Sequence, residues 1–395
     1  ERIKEELKAG KSLHAAIEEG FTRAWDSIRD SNFSSLITCT ILFYFGSSII
    51  RGFALNLALG ILISMFSAIM LTRTFLLFTA ETPLAKNLWL WGKAKKESTK
   101  HFEFVKYKNF WLGLSGSAVL VSFLLLGIFG LKLGLDFTGG TMLELKLAGT
   151  PTSEEVKSTI EEVGDFGEEQ IVSTSEGTFL VRMKLLSEEE HAKILEKLKE
   201  KFTTVEELRF TTVGPVIGET LKNKALIALI LTSLMIVLYI SFAFRKIPRE
   251  LSPWKFGLAA IVALIHDVAI VMGVFVLLGK YMGVEVDALF ITALLTVMGF
   301  SVHDTIVVFD RLRENLRFRK DGEQLGETVD HALNQTMARS INTSLSVLIT
   351  TVALLLFGAL SLKMFILALT IGISVGTYSS IFVASFLLVS WNKRK

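Results

Sequence analysis

Eight apolar blocks constrain this chain more than any other feature: about 33–51, 53–79, 111–131, 223–244, 255–279, 288–309, 341–361 and 364–391. Each is close to the roughly 20 residues that a helix needs to cross a bilayer. In lipid every backbone N–H and C=O must be paired within the chain, so such blocks form helices. With 51% hydrophobic residues among 395 and a mean hydropathy of +0.50, an ordinary soluble protein is excluded.

Lysine and arginine orient the blocks. They crowd 1–32, 80–110, 245–255, 310–339 and 391–395, with Arg245, Lys246, Arg249 and Lys255 in one short loop. Arg51, Lys280 and Lys363 stand alone at the opposite turns. The positive-inside rule places the crowded set in the cytoplasm, and the alternation closes over all eight spans. Trp89, Trp91, Trp111, Trp254 and Trp391 fall near the expected interfaces, where amphipathic rings settle. The net charge of +3 and the pI of about 8.8 therefore reflect topology, and no nucleic-acid partner is expected. The lone cysteine, Cys39, lies in an apolar block and rules out an intrachain disulfide. No cleavable signal peptide is visible. Glu1-Arg-Ile-Lys-Glu-Glu-Leu7 reads as the end of a segment already under way, so a fragment or a processed piece is expected.

One long insertion, 133–221, is soluble in character and lands outside the cytoplasm. Leu143-Glu-Leu-Lys-Leu147 and Phe179-Leu-Val-Arg-Met-Lys-Leu185 alternate as strands do. Thr152-Ser-Glu-Glu and Ser187-Glu-Glu-Glu open helices with capping chemistry. Ile171–Thr174 and Thr204–Thr212 supply two more strands, which gives a βαββαβ, ferredoxin-like order. The fold class expected is an all-α polytopic membrane bundle of about eight helices with one external α+β domain. Before the first strand stands Gly134-Leu-Asp136-Phe-Thr138-Gly139-Gly140. A phosphate loop needs a strand before it, a helix after it and a Lys-Ser/Thr. None is present, and the motif reads as a tight turn coupling a membrane helix to the external domain.

The sixth block holds the candidate chemistry. Gly299-Phe-Ser-Val-His303-Asp304 runs on to Asp310-Arg-Leu-Arg-Glu-Asn315, passing from apolar to charged. At 1.5 Å per residue, Asp304 lies about 9 Å inside the charged end. An aspartate there costs about 2.5–3.5 kcal/mol on insertion scales, and a chain carries that cost when the acid faces a partner, a cavity or a proton path. Asp304 is the expected working acid, with protons as the coupling ion and no cofactor. The alternative is a static buried ion pair that sets helix register. His266 and Asp267, mid-helix in the preceding span, either extend a relay to Asp304 or satisfy each other without moving a proton. His303 either titrates or packs as a neighbour. Two histidines are too few for a defined metal site, so none is expected. Gly372-Ile-Ser-Val-Gly376 is a close-packing motif.

The chain also repeats itself. Glu1–Leu7 echoes Asp310-Arg-Leu-Arg-Glu-Asn-Leu316, and Lys8-Ala-Gly10 echoes Lys320-Asp-Gly322. Ser34-Ser-Leu-Ile-Thr38 then matches Ser346-Val-Leu-Ile-Thr350, and two linked spans close each copy. The amphipathic stretches 1–30 and 311–338 are expected on the cytoplasmic surface against lipid headgroups. Transporters built from repeats place their ion site where the halves meet. The counterpart of Asp304 is expected upstream of Glu1.

These residues carry a resemblance. Residues 1–80 resemble the last part of SecD, in Ser47-Ser-Ile-Ile-Arg-Gly-Phe53 and Ser64-Met-Phe-Ser-Ala-Ile69. Residues 101–395 resemble a complete SecF, in Phe104-Val-Lys-Tyr107, Gly134–Gly140, His266-Asp-Val268, Ser301–Asn315 and Arg339-Ser-Ile-Asn-Thr-Ser344. The resemblance is to bacterial protein-export membrane subunits of the resistance-nodulation-division superfamily, joined end to end. It implies a SecD-like part over 1–80, a linker over 81–110, a first SecF-like span over 111–132, the external domain over 133–221 and a five-helix region over 222–395. It further implies a proton-motive-force-driven accessory of the Sec translocase in the bacterial inner membrane, not an enzyme. The partners implied are the Sec channel with its accessory membrane proteins, the translocating preprotein and lipid. Arg339 would be the cation that answers Asp304. His303 departs from the family pattern, which often has an uncharged polar residue such as Asn there. The rival expectations are a non-catalytic scaffold of the channel and a small-molecule proton antiporter of the same superfamily.

Overall fold

The structure is a computed structural model that describes residues 2–87, 91, 102–148, 151–167, 170–173, 178–202, 204–245, 251–319 and 322–392. Trp89, Lys246, Arg249, Lys320 and much of the 81–110 linker lie outside the described residues. The chain divides into two compact units, one of Glu1–Gly130, Ala228–Tyr281 and Leu289–Lys395, the other of Leu131–Ile227 and Met282–Ala288.

The first unit is helical. Its elements are α1 (Arg2–Lys8), α2 (Leu13–Phe45), α3 (Ser48–Phe66), α4 (Thr72–Ala80) and α5 (Lys108–Phe129). The second unit, taken next in chain order, holds α6 (Leu135–Thr138), β1 (Gly140–Leu147), α7 (Ser153–Glu161), β2 (Gln170–Ser173), β3 (Thr178–Met183), α8 (Glu188–Lys201) and β4 (Val205–Val213). The long helices that follow are α9 (Pro215–Ala243), α10 (Pro253–Met282), α11 (Ala288–Arg317), α12 (Leu325–Phe357), α13 (Lys363–Ser379) and α14 (Ser385–Trp391). Proline opens α9 and α10 at the first helical position, where its missing N–H leaves no bond unmade.

Among the described residues seven helical stretches are long and apolar enough to span a membrane, not eight. The expected span over 33–51 falls on α2, which is not among the seven. Gly46 and Ser47 adopt extended backbone and stop α2 at Phe45. Asp26, Arg29 and Asp30 bound the apolar run on its other side, leaving Phe33–Phe45, about 20 Å of helix at 1.5 Å per residue. A second correction concerns the amphipathic stretches. Residues 13–30 are the first half of α2, 311–317 end α11, and 325–338 begin α12. They are continuous with the apolar helices instead of forming separate surface helices, because no proline separates the polar and apolar halves.

The internal repeat is visible in the helices. α2 and α12 each contain 33 residues and end at a phenylalanine followed by an extended glycine, Gly46 and Gly358. The span after each carries a five-residue π-helical turn, Ser67–Leu71 between α3 and α4, and Ser380–Ala384 between α13 and α14. The charged ends of the two copies pair crosswise. Arg2 bonds Glu314 at 2.6 Å and Arg311 bonds Glu5 at 2.7 Å. Within each copy the same groups meet again, Arg2 with Glu5 at 3.2 Å and Arg311 with Glu314 at 2.8 Å. Such reciprocity, i to j and j to i, is what two related surfaces produce about a pseudo-twofold axis.

Burial ranks the spans. The window of Ser48–Ala80 is 6% buried, whereas that of α11 is 78% buried. Ile63, Phe66, Phe75 and Phe78 are accordingly exposed, as suits side chains that meet acyl tails. α11, in contrast, is surrounded by protein.

The second unit is a four-stranded antiparallel sheet in the order β2-β3-β1-β4. β1 and β2 run parallel with β3 between them, the split βαβ arrangement expected from the order of elements. Leu143, Leu145 and Leu147 of β1 and Phe179, Val181 and Met183 of β3 alternate inward against Val156, Ile160, Ile194 and Leu198 of α7 and α8. Both helices start with the expected capping boxes, Thr152 with Glu155 and Ser187 with Glu190. Hydrogen bonds from the capping residue's backbone and hydroxyl hold the Glu155 and Glu190 carboxyls below their usual range.

Candidate functional site

Helical spacing puts Ser301, Asp304 and Thr305 on one face of α11. α13 presents Gly372, Gly376 and Ser379 with the same spacing, and the π-helical turn after it adds Ser380. The glycines allow contact. A Cβ on Gly372 would collide with Val297, and one on Gly376 would lie 3.0 Å from the Cβ of Ser301. The Gly372–Gly376 motif therefore acts as a packing seam between α13 and α11, and it brings the hydroxyls of Ser379 and Ser380 to the carboxylates.

Two aspartates are buried there in different ways. Asp267 of α10 is wholly inaccessible. It accepts from Ser301 at 2.5 Å, from Ser379 at 2.9 Å and from His266 Nδ1 at 3.0 Å. These donors come from three elements, so its oxygens clamp α10, α11 and α13 together. His266 stacks on Tyr378 with ring centroids 6.0 Å apart, and its buried Nε2 has no partner among the described residues. Tyr378 in turn shares a 2.9 Å hydrogen bond with Ser115 of α5.

Asp304 is 4% exposed and among the described residues accepts a single hydrogen bond, 3.1 Å from Ser344 of α12. Ser344 accepts from Thr377 of α13 at 2.6 Å. Thr305 and Ser380 share a hydrogen bond of 2.9 Å, and both hydroxyls reach the Ser301 carbonyl, at 3.1 and 3.0 Å. A web of hydroxyls thus runs across the two carboxylates. Ser301, Thr377, Tyr378, Ser379 and Ser380 escaped the sequence reading. The signal that could have found them is Thr377-Tyr-Ser-Ser380, four hydroxyls in a row within an apolar helix.

Arg339 makes no ion pair with Asp304 among the described residues. It is exposed, yet near enough for its charge to bear on both Asp304 and His303. It also lines a cavity of about 20 Å³ with Ser27, Asp310, Arg2, Arg311 and Gln335. That is space for about one water. His303 is half-buried beside Phe300, ring centroids 6.4 Å apart, and has no hydrogen bond among the described residues. Of the five expected relay residues, His266 and Asp267 touch, Asp304 bonds a serine, and Arg339 and His303 bond neither aspartate.

The glycine-rich turn lies in the other unit. Gly139 and Gly140 have φ of +71° and +119°, values open to glycine and costly for other residues. A Cβ on Gly140 would lie 2.6 Å from the Met183 carbonyl. Thr138 accepts from Arg182 and donates to the Gly134 carbonyl at 3.2 Å. Asp136 accepts from the backbone N–H of Ala288 at 2.9 Å.

Known proteins resemble this chain. Residues 193–394 match the profile of the protein export membrane protein SecD/SecF, C-terminal family, and 124–150 match the SecD/SecF GG motif. The protein translocase subunit SecF of Thermobaculum terrenum is 45% identical over 74% of this chain and 94% of its own length. The protein translocase subunit SecDF of Thermus thermophilus is 36% identical over the whole of this chain, which spans 52% of that relative. The crystal structure of SecDF, a translocon-associated membrane protein from Thermus thermophilus, superposes with a TM-score of 0.85 at 34% identity, covering 100% of this chain and 52% of that one. The matched span, the repeat and the glycine turn all agree: the chain belongs to the SecD/SecF family of protein export membrane proteins, and it is a multi-pass membrane transport protein.

Proposed function

We propose that this chain is a proton-driven accessory of Sec-dependent protein export in the bacterial inner membrane, and that Asp304 is its proton-binding group. The observation that carries this reading is the contrast between the two buried aspartates. Asp267 is bonded by three donors. Among the described residues Asp304 has one, from Ser344, and an arginine nearby that it does not bond. An acid held by one reversible hydrogen bond can change its partner when it changes its charge.

The chemistry is a proton transfer alone. Ionised Asp304 accepts from Ser344. Once protonated, it donates to the Ser344 oxygen, and Ser344 must turn its own hydrogen toward Thr377. The pull of Asp304 on Arg339 ends at the same moment. Both changes bias the packing of α11 against α12 and α13, which is the two-state element a pump requires. The partners are the Sec channel and its accessory membrane proteins, with the preprotein as cargo. His266, Asp267 and His303 surround this step, with Asp267 as the clamp. The glycine turn passes movement to the external domain. No bound cofactor enters the scheme.

The test is preprotein export by membrane vesicles with and without a proton gradient, comparing the native protein with Asp304→Asn and Arg339→Met. Loss of the gradient-dependent increment in both variants supports the reading. Full gradient-dependent export by Asp304→Asn overturns it in favour of a scaffold.

A further inference from the structure

Three helices of the helical unit pass from apolar to charged residues around one cavity. α2 does so between Phe33 and Asp30, α9 as it ends before Arg245, and α11 between Phe309 and Asp310. The cavity has a volume of about 390 Å³ and is lined by Asp26, Arg29 and Asp30 of α2, Tyr239 of α9, Arg245 just beyond it and Arg313 of α11. That is the size of a small-ligand site. Its edge is aromatic. Phe33 stacks on Tyr239 with ring centroids 6.0 Å apart, and the rings of Phe33 and Phe242 are exposed. The apolar span of α9 stops at Ala243, so the cavity opens where hydrocarbon gives way to headgroups.

Three arginines face two aspartates across it, and the acids already have partners. Arg29 reaches Asp30 at 2.9 Å and Asp26 at 3.3 Å, and the Tyr239 hydroxyl donates to Asp30 at 3.2 Å. Arg313 binds Asp310 and donates to the Ala243 carbonyl at 3.4 Å. Arg245 differs. It is exposed, its guanidinium lies 4.0 Å from the centre of the Phe242 ring, and among the described residues it forms no ion pair. The charge left to answer is therefore positive. A guanidinium presents paired N–H donors that fit phosphate oxygens, and basic pockets between membrane helices take anionic headgroups. A soluble anion would gain nothing from exposed rings at the rim, whereas acyl chains would lie against them. We propose that this cavity binds an anionic phospholipid, with its phosphate on Arg245 and its acyl chains along Phe33 and Phe242. α2 belongs to the first copy of the repeat and Arg313 to the second, so a lipid held here joins the two copies. The site uses none of the groups around Asp304 and stands apart from the proton chemistry.

The test uses the full chain in a neutral detergent. A ligand that binds the folded state raises the melting temperature with concentration, which yields an affinity. In the first arm the native protein is titrated with dioleoylphosphatidylglycerol, dioleoylphosphatidylcholine and inorganic phosphate. A rise with phosphatidylglycerol alone is expected. No rise with it, an equal rise with the zwitterionic lipid, or an equal rise with inorganic phosphate overturns the proposal. This arm needs no variant, so it stands whether or not any variant folds. In the second arm the phosphatidylglycerol titration is repeated on variants. Arg245→Ala should weaken the affinity about fivefold and Arg245→Glu about thirtyfold, the ratios for one basic charge removed and reversed. Arg245→Lys should recover most of it. Arg73→Ala is the comparison, since Arg73 is an arginine with its side chain 46% exposed that does not line this cavity. It should keep the native affinity. Native affinity in Arg245→Glu, or an equal loss in Arg73→Ala, overturns the site in favour of diffuse attraction to the whole basic face.

Discussion

Asp304 and Asp267 bear the same side chain in one bundle, and their surroundings set them apart. Burying an ionised carboxylate is tolerable when hydrogen bonds replace its water. Asp267 has that replacement from Ser301, Ser379 and His266, so it should be structural first. Asp267→Ala is expected to lower stability by about 3–5 kcal/mol, because it orphans donors on three elements. The loss would appear as a depressed melting temperature in detergent. Asp304→Asn should leave that temperature within a few degrees of native and abolish gradient-dependent export. Ser344→Ala removes the single bond to Asp304, worth about 1.5–3 kcal/mol for a charged acceptor. With that bond gone Asp304 loses the partner that both of its charge states use in the proposed step, so gradient-dependent export should fall. Unchanged gradient-dependent export in Ser344→Ala would remove Ser344 from the scheme.

Among the elements, α11 and α13 are locked by small residues. The helices approach closely because Gly372 faces Val297 and Gly376 faces Ser301. In a bilayer such packing replaces the hydrophobic drive that water supplies elsewhere. Gly376→Leu should push the helices apart at a cost of about 1–3 kcal/mol. It should also break the Ser301 and Ser379 bonds to Asp267. Gel filtration and thermal unfolding in detergent would register the damage, and Gly376→Ala should be milder. The π-helical turn that follows sets the phase of Ser385–Trp391 against α13, as its counterpart at Ser67–Leu71 does between α3 and α4.

Across the whole molecule, the two copies of the repeat meet through ions at their charged ends. Arg23 joins the crossed pairs by binding Glu6 and Glu314. Groups in one such network couple by about 0.5–3 kcal/mol. Arg2→Glu and Glu314→Arg should each destabilise the protein, and the double variant should recover much of the loss, as a double-mutant cycle of melting temperatures would report. Acid should act on the same region. The hydrogen bond from Lys11, then that from Arg23, holds the Glu6 carboxyl below its ordinary value. A lowered folded-state pKa means stability that is present above the unfolded value and lost as pH falls through the folded one. Melting temperature should therefore drop below about pH 4, and Glu6→Gln should flatten that limb.

Local physics made part of this molecule readable from residues alone. Hydrophobic run length marked the long helices, period-two alternation marked β1 and β3, and capping boxes marked the starts of α7 and α8. An acid inside an apolar helix had to be sheltered, and Asp304 is 4% exposed on the most buried span. Each of these depends on residues within a few positions of one another. The end of α2 at Phe45 was less legible, because a continuous apolar run hides two residues that turn extended. What only the tertiary structure decided is which groups meet: Ser379 with Asp267, Ser344 with Asp304, Arg2 with Glu314, and Asp136 with Ala288. Those pairings depend on how each helix is rotated and how closely it packs. A chain's spacing restricts such contacts but does not select among them.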